Sequence, residues 1–418
     1  MRATPSEPWP TIAIAPDSFK GTLTAKAAAQ ALAGGLQQAL PSANILQWPM
    51  ADGGEGTLDS LQAVLRGELE RWTVKNAAGL PVRACFYRCE IQNQPAAVLE
   101  VAQVVGITDR SSQQYPVAQR ATQGVGELLR HTLDLGIREL YVGLGGSCTN
   151  DGGAGLLAGL GVEFLDARGC LLSPAPEGLA RLASIDFSGL DPRLQSTRLT
   201  LLSDVRSPLC GPNGATHTFG PQKGLANKEE RDRIDRTLDR FATLAERTIA
   251  QQFPSRELRQ NLQTRPGTGA AGGLGFALQL LGGIHTSGAK FIAELLNIPH
   301  HLKQVDWLIV GEGCSDVQTL QGKAPWVVAQ MAHNEGVPVT LLSGAIVSED
   351  AATLAQSFRG NCFSLTPGPT CCFPASDAPT SAEDCRLRAA QWLQKAGLQL
   401  GQQWLQNRPL DSDRGDFL

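Results

Sequence analysis

A repeated pattern constrains the fold of this chain more than any other feature. A short apolar run is followed by a polar, glycine-rich loop and then by a segment of helical periodicity. The first example, "TIAIAPDSFKGTLTAKAAAQALAGGLQQAL", begins at Thr11. Its pattern predicts a strand over Thr11 to Ala15, a helix cap near Thr24 and a helix to about Leu40. Repetition of this unit predicts an α/β fold with largely parallel strands.

The length of the chain predicts more than one domain. A chain of 418 residues is long for one hydrophobic core, so we expect two α/β domains. The N-terminal and C-terminal strand–helix units are expected to share one sheet in a domain of residues 1–75 plus 290–418. Residues 76–289 would form the second domain, which leaves a cleft between the two.

Composition and charge exclude several classes of function. The formal net charge is -4 and the chain has no basic run, which argues against a nucleic-acid partner. No apolar run reaches membrane-spanning length, and "MRATPSEPWP" lacks the pattern of a secretion signal, so we expect a cytoplasmic protein with no membrane partner. The ten cysteines and six histidines lack the paired spacing of a zinc site.

The polar loops supply the groups that phosphate chemistry needs. They combine lysines, carboxylates and backbone N–H groups that glycine leaves accessible, which suit phosphate and magnesium. Ligands of parallel sheets bind at the carboxyl ends of strands, where we expect all these loops to lie. The seven loops are "PDSFKG" (16–21), "ADGGEGT" (51–57), "GGSCTNDGG" (145–153), "SDVRSPLCG" (203–211), "FGPQKG" (219–224), "GTGAAGGLG" (267–275) and "GEGCSDVQTLQGK" (311–323).

Two familiar nucleotide signatures are absent or weak. "LQGKAP" lacks the upstream glycine and the Ser or Thr of a P-loop. Gly153, Gly155 and Ala158 match G-x-G-x-x-A, so a nicotinamide-dependent dehydrogenase is an alternative function. The acids that would hold a ribose, Glu163 or Asp166, lie too near to this loop. Close helix packing explains the same small residues.

Taken in order, these loops resemble the bacterial glycerate kinase family of the type that forms 2-phosphoglycerate. The resemblance runs from about residue 11 to about residue 345 and continues in "SLTPGPTCCFPASDAP". It implies transfer of the ATP γ-phosphate to D-glycerate, giving 2-phospho-D-glycerate and ADP, with Mg²⁺. It also implies that one of the two domains is Rossmann-like, with a largely parallel sheet, and that the active site lies in the interdomain cleft. We expect D-glycerate and ATP as partners, and a monomer or homodimer.

Four residues depart from the pattern of this family. Its members usually carry Ala at Cys148, Thr-Asn at Arg206 and Ser207, and Arg at Cys314. The loss of a basic residue at Cys314 keeps open a catalytically weak ligand-binding relative. Formation of 3-phosphoglycerate is a further alternative, because only the resemblance favours the 2-position.

The expected reaction assigns roles to specific residues. We predict that Lys20 and Lys223 neutralise phosphate or substrate charge, and that Asp204 is the general base or a magnesium ligand. The predicted substrate- or phosphate-binding residues are Ser18, Gly145, Gly146, Ser147, Asn150, Gly272, Gly273 and Lys323. The candidate metal ligands are Asp151, Glu312 and Asp316, with Asp52 and Glu55 as competing carboxylates. Helix capping is the alternative role of Asn150 and Asp151.

Overall fold

The computed structural model describes residues 9–19, 21–62, 65–253, 261–359, 361–365 and 382–406. The strands in these ranges are β1 (Thr11–Pro16), β2 (Asn44–Gln47), β3 (Gly67–Lys75), β4 (Pro81–Ile91), β5 (Gln94–Glu100), β6 (Glu139–Gly143), β7 (Glu163–Leu165), β8 (Ser184–Asp186), β9 (Arg198–Leu202), β10 (Ile284–Thr286), β11 (Trp307–Ser315), β12 (Val339–Ile346) and β13 (Cys362–Ser364).

The α-helices in the same ranges alternate with these strands. They are α1 (Ala25–Ala39), α2 (Thr57–Gln62), α3 (Ala102–Val105), α4 (Arg110–Gln113), α5 (Gln123–Asp134), α6 (Ala154–Gly159), α7 (Pro176–Leu179), α8 (Ala215–Lys223), α9 (Lys228–Gln252), α10 (Leu274–Leu280), α11 (Gly288–Leu295), α12 (Ile298–His301), α13 (Ala324–Asn334), α14 (Ala351–Ser357) and α15 (Ala382–Gln406). Across the described residues, none of these helices has both the length and the apolar character to span a membrane.

The chain divides into two compact units. Unit 1 comprises residues 1–51 and 292–418, and unit 2 comprises residues 52–291. Residues 52–75, which we expected in the first domain, belong to unit 2. The reason is the β3–β4 hairpin, in which Lys75 pairs with Pro81 at the turn. Each unit has its own hydrophobic core.

Unit 1 contains a fully parallel sheet built from both ends of the chain. Its strand order is β13-β12-β11-β1-β2, and Ile12 of β1 lies opposite Trp307 of β11. The predicted β1 and α1 are confirmed, and Thr24 caps α1 by accepting a hydrogen bond from the backbone N–H of Ala27 at 3.2 Å. The order of the strands reverses between β1 and β11, which is the position where open α/β sheets bind ligands.

Unit 2 contains a mixed sheet. Its order is β10-β9-β6-β5-β4-β3, with β10, β9, β6 and β5 parallel to one another and β4 antiparallel to both of its neighbours. Its core lies between this sheet and helices that include α5 and the long amphipathic α9. The fold-class prediction of an α/β protein with largely parallel sheets is confirmed.

The seven polar loops do not all end strands. Four of them follow β1, β2, β6 and β9, and the loop at 311–323 begins inside β11. The expectation is wrong for 219–224, which is the last part of α8, and for 267–275, which leads into α10. In the first case the helix continues from Ala215 and ends because Gly224 adopts the left-handed conformation, with φ 111°.

Helices α1 and α15 pack in direct backbone contact at Gly35. A Cβ atom on Gly35 would lie 1.9 Å from the carbonyl oxygen of Gln394. The neighbouring Gly34 has space, since its Cβ would meet only the end of the Gln394 side chain at 3.9 Å. Close approach of the two backbones therefore requires glycine at position 35 and tolerates alanine at 34.

This difference predicts opposite effects of two matched substitutions. Gly35→Ala should lower the free energy of unfolding by about 1–3 kcal/mol, because the backbones of α1 and α15 must move apart. Gly34→Ala should raise it by up to about 1 kcal/mol through helix propensity. Urea denaturation followed by circular dichroism measures both. Equal effects of the two variants would contradict the packing of α1 on α15.

Candidate active site

The carboxyl ends of the parallel strands of unit 2 bring polar residues together. Glu100, Gly143, Leu202 and Thr286 lie side by side at the ends of β5, β6, β9 and β10. Asp204 follows β9 by two residues and lies next to Ser287, which follows β10 directly. The structure thus places the predicted Asp204 at the edge of the sheet where ligands of parallel sheets bind.

Asp204 is a largely buried carboxyl group with an unfilled position. One of its oxygens, Oδ2, is buried and accepts no hydrogen bond. Burial raises the pKa of Asp204 to about 7, helped by the charge of Asp52, while hydrogen bonds from Ser287 and from the backbone N–H groups of Ala289 and Gly288 oppose the rise. Buried polar atoms are nearly always satisfied, so Oδ2 marks a position that a ligand group can fill.

The loop at residues 52–54 reaches the site through two close backbone contacts. The N–H of Gly145 donates to the carbonyl of Gly53 at 3.2 Å, and the N–H of Gly54 donates to Asp52 Oδ1 at 2.9 Å. A Cβ on Gly145 would lie 2.3 Å from the Cα of Gly54. Glycine at 145 therefore allows two loops to touch, and this contact holds Asp52 beside Asp204.

Lys223 is buried and holds the loop after β6. Only 6% of the residue is exposed. Its ammonium group donates to Ser147 Oγ at 3.0 Å and to the carbonyl oxygen of Thr149 at 2.7 Å. Burial lowers the pKa of Lys223 to about 8. The structure therefore brings together two predicted residues, Lys223 and Ser147, from segments far apart in the sequence.

Asp151 supports the alternative role as a helix cap. Its Oδ2 accepts hydrogen bonds from the N–H and hydroxyl of Thr122 and from the N–H of Gly155, at 2.7 to 3.1 Å. Its Oδ1 accepts from the N–H of Gly153 at 3.0 Å. These bonds tie the start of α5 to the start of α6. With both oxygens occupied, the carboxylate has little capacity left to coordinate a metal ion.

Asn150 is buried beside this cap. Its Nδ2 donates to the hydroxyl of Thr216 at 2.9 Å, while its Oδ1 has no partner. Gly272 and Gly273 pack against the same turn, since a Cβ on either residue would lie 2.3 Å or less from the backbone of Thr149 or Gly152. In this structure these two glycines therefore permit close packing of the chain on itself.

A second polar cluster lies in unit 1 at the end of β11. Glu312 is buried, and its Oε1 accepts from the hydroxyls of Ser315 at 3.0 Å and Thr319 at 2.6 Å. Lys323 lies 3.4 Å from Glu312 Oε2 and 3.5 Å from Asp316 Oδ1. Burial alone would lower the pKa of Lys323, but the charges of these two carboxylates outweigh burial and raise it. Three of the predicted residues therefore form one network.

The remaining predicted residues of unit 1 follow β1. The N–H of Ser18 donates to Asp17 Oδ1 at 2.6 Å, and β1 lies next to β11 in the sheet. Lys20 lies outside the residues that the structure describes, so its role stays a prediction.

Sequence reasoning missed Glu100. This residue is 2% exposed, and its Oε1 accepts a hydrogen bond from the N–H of Leu58 at 2.6 Å. It thereby holds the start of α2, just after the loop that carries Asp52. Burial raises the pKa of Glu100 to about 7. The signal was present in the sequence, because an apolar strand, "PAAVLEV", contains a single carboxylate at its end.

The glycines that suggested a dinucleotide-binding loop pack against other parts of the protein. A Cβ on Gly153 would lie 2.4 Å from the side chain of Ala277, and one on Gly155 would lie 2.4 Å from the backbone nitrogen of Thr122. These glycines accommodate neighbouring protein segments, as the packing interpretation predicted.

Comparison with known proteins identifies the family. The profile of the Glycerate kinase family matches residues 12–405. The chain belongs to the glycerate kinase family. It is 39% identical over 386 residues to the glycerate kinase of Bacillus subtilis strain 168, covering 91% of this chain and 96% of that relative.

Two further relatives agree with this assignment. The chain is 34% identical over 339 residues to the glycerate 2-kinase of Escherichia coli K12, covering 81% of this chain and 86% of the relative. The crystal structure of a proposed glycerate kinase 2 from Salmonella typhimurium LT2 superposes on this chain with a TM-score of 0.77 at 32% sequence identity. The match covers 96% of this chain and 100% of that one. The family is one of kinases, and the α/β fold agrees with that of a solved member.

Three of the four departures from the family pattern lie in different surroundings. Cys148 is fully buried, in a position that also suits the Ala that the family usually carries there. Arg206 is exposed two residues after Asp204, and its charge adds to burial in lowering the pKa of His285. Cys314 lies within β11, opposite Ala345 of β12.

The raised pKa of Asp204 predicts how a substitution changes stability with pH. Its folded pKa lies above the ordinary value of 3.8, so the neutral carboxyl favours the folded state. That contribution is complete below about pH 4 and is lost as the pH rises to about 7. Asp204→Asn, which stays neutral, should therefore raise the melting temperature relative to wild type at pH 8, and less so at pH 5.

A charge-matched control is available at Asp186. Hydrogen bonds from the N–H and hydroxyl of Ser188 lower the pKa of Asp186, so its carboxylate stabilises the fold above pH 4. Asp186→Asn should then lower the melting temperature at pH 8. Differential scanning calorimetry of both variants is the measurement. Parallel behaviour of the two variants would show that Asp204 is not disfavoured as a carboxylate.

Proposed function

We propose that this protein phosphorylates the 2-hydroxyl of D-glycerate with ATP, giving 2-phospho-D-glycerate and ADP. Membership of the glycerate kinase family across residues 12–405 supports the substrate. The relative from Escherichia coli K12 that is named glycerate 2-kinase supports the position. The single structural observation that carries the proposal is Asp204 Oδ2, a buried carboxylate oxygen without a partner.

Asp204 is suited to the role of general base. In the transfer, the 2-hydroxyl oxygen forms a bond to the γ-phosphorus, the bond from phosphorus to the ADP oxygen breaks, and the hydroxyl proton passes to Asp204. A carboxyl with a pKa of about 7 is matched to this task, since about half of it is ionised at pH 7 and the carboxylate is still basic enough to accept a proton. The N–H groups at the start of α11 hold it in place.

The charge of the transferred group needs neutralisation. Phosphoryl transfer depends mostly on positioning and on charge stabilisation. Lys20, Lys223 and Lys323 are the proposed sources of positive charge, and the backbone of Gly145, Gly146 and Ser147 supplies N–H groups at the end of β6. Ser18, after β1, is a proposed donor to the same anions. Cytoplasmic location and a monomeric or dimeric state complete the proposal.

The residues present fit a magnesium ion carried by the nucleotide. No cluster of three or more His, Cys, Asp or Glu side chains arranged for a metal occurs in the part of the chain that the structure describes. Mg²⁺ bound to phosphates needs only one or two carboxylates and retains waters. When bound, the ion neutralises phosphate charge. Of the three predicted ligands Asp316 is the best suited, because both oxygens of Asp151 and of Glu312 are engaged, whereas the contacts of the Asp316 carboxylate fall on Oδ1.

The product assay tests the proposal directly. We expect purified protein with Mg·ATP and D-glycerate to form a product that enolase alone converts to phosphoenolpyruvate, detected by its ultraviolet absorbance. ADP is measured in parallel with pyruvate kinase, lactate dehydrogenase and added phosphoenolpyruvate. Enolase-convertible product equal to ADP establishes the 2-position. If ADP forms but enolase converts the product only after phosphoglycerate mutase is added, the 3-hydroxyl is the one that is phosphorylated. Absence of glycerate-dependent ADP favours the catalytically weak relative.

The pKa of Asp204 predicts the acid side of the pH profile. Because the base must be ionised, kcat/KM should fall below about pH 7 and approach a tenfold loss per pH unit. Asp204→Asn should reduce kcat by about 10²–10⁴-fold, the usual worth of a general base, and abolish this limb. Asp186→Asn is the matched control and should retain wild-type turnover. Near-normal turnover of Asp204→Asn would rule out its role as base.

A further inference from the structure

Lys223 carries a buried charge that no carboxylate balances by direct contact. It is the last residue of α8, and its ammonium group bonds to a hydroxyl and a carbonyl. Within the described ranges it forms no ion pair with Asp or Glu. The carboxylate whose charge acts on it, Asp151, is engaged by Thr122, Gly153 and Gly155. Burying a charge without an ionic partner costs stability, so a lysine kept in such a position indicates a functional role.

The other charged groups around Lys223 are few. Arg120 lies beside it and donates to its carbonyl oxygen at 3.1 Å, and Cys148 faces it from the loop after β6. From α9, Arg231 donates to the carbonyls after α8, while Asp232 and Asp235 face His217 on the earlier part of α8. The surroundings of the ammonium group are thus neutral or positive except for Asp151.

Ser147 is the second half of the observation. Its oxygen accepts from Lys223, and among the described residues its hydroxyl donates to none. It is 5% exposed and follows by two residues Gly145, whose backbone touches Gly54 beside Asp52. A nearly buried donor without an acceptor therefore lies in the same group of loops as the unpartnered oxygen of Asp204. A small substrate with both a hydroxyl and an anionic group fits such a pair.

Building on the proposed phosphorylation of glycerate, we propose that Lys223 is a positioning residue that acts through Ser147. The ammonium group donates to one lone pair of Ser147 Oγ and has none to offer in return, so the Ser147 proton is free to be donated to an anionic oxygen of the substrate. Lys223 itself stays buried behind Ser147, so its positive charge acts on the substrate without direct contact. This assigns the recognition of substrate charge to the Ser147 hydroxyl.

Deprotonation of Lys223 would reverse this hydrogen bond. A neutral amine can accept a hydrogen bond, so the Ser147 hydroxyl would then donate to Lys223 and be lost to the substrate. Burial lowers the pKa of Lys223 to about 8. The ammonium form, and with it the proper direction of the bond, is present below about pH 8 and is lost above it.

The test is the basic side of the pH profile of kcat/KM for D-glycerate. Wild type should lose activity above about pH 8, approaching tenfold per pH unit. Lys223→Arg, which stays charged, should lack this loss up to about pH 10, whatever its turnover at pH 7. Ser147→Ala should be about 10- to 100-fold less active at pH 7, the range expected for a hydrogen bond to a charged group. It should also lack the basic limb. Lys228→Arg, on the exposed start of α9, is the control and should follow wild type.

The outcomes separate this inference from the proposed function. Turnover by wild type with the same basic limb in Lys223→Arg or Ser147→Ala overturns the inference and leaves the function standing. If Lys223→Arg does not fold, Ser147→Ala decides alone, supported by calorimetric binding of D-glycerate at pH 7 and pH 9. Wild type should bind more weakly at pH 9, and the alanine variant equally at both. Absence of both turnover and glycerate binding removes the function and the inference together.

Discussion

The parallel pairing of β1 with β11 is the contact on which the architecture depends. It joins Ile12 to Trp307 and so makes one sheet from the two ends of the chain. All of unit 2 lies between them in the sequence. Because β2 and β11 flank this long insertion, the core of unit 1 requires the N-terminal strands and the C-terminal strands at once. The polar residues that follow β1 and β11 become neighbours only through this pairing.

Unit 2 achieves its own site by a different means. Its strands β5, β6, β9 and β10 end at the same level, and the loops that follow β2 and β6 meet there through backbone contacts. The absence of side chains at Gly53, Gly54 and Gly145 lets these segments approach closely enough for Asp52 to act on Asp204. The altered pKa values of Asp204 and Lys223 both follow from burial. Buried ionisable groups with shifted pKa values are typical of catalytic sites.

Local patterns in the sequence predicted much of this structure. The apolar run at Thr11 and the cap at Thr24 are local signals, and both appear as predicted. The position of Asp204 at a strand end was predictable for the same reason. The partner of a glycine is not a local property, so "GTGAAGGLG" resembled a ligand loop although Gly272 and Gly273 serve to pack against residues 149–152.

Long-range partners also decided the roles that the sequence left open. Whether Asp151 holds a metal or caps helices depends on Thr122, which is 29 residues away. The contact of Glu100 with the N–H of Leu58 spans 42 residues. Neither pairing leaves a signal in the spacing of residues, whereas the order of the motifs was enough to indicate the family.

The insertion has a consequence for the order of folding during synthesis. The last strand of unit 2 ends at Thr286, and its entry and exit segments touch, since a Cβ on Gly288 would lie 2.2 Å from the carbonyl oxygen of Asp52. Unit 2 therefore has its complete sheet before the ribosome has made β11. Strands β1 and β2 precede unit 2 in the sequence but must wait for β11, so residues made before unit 2 reach their final structure after it.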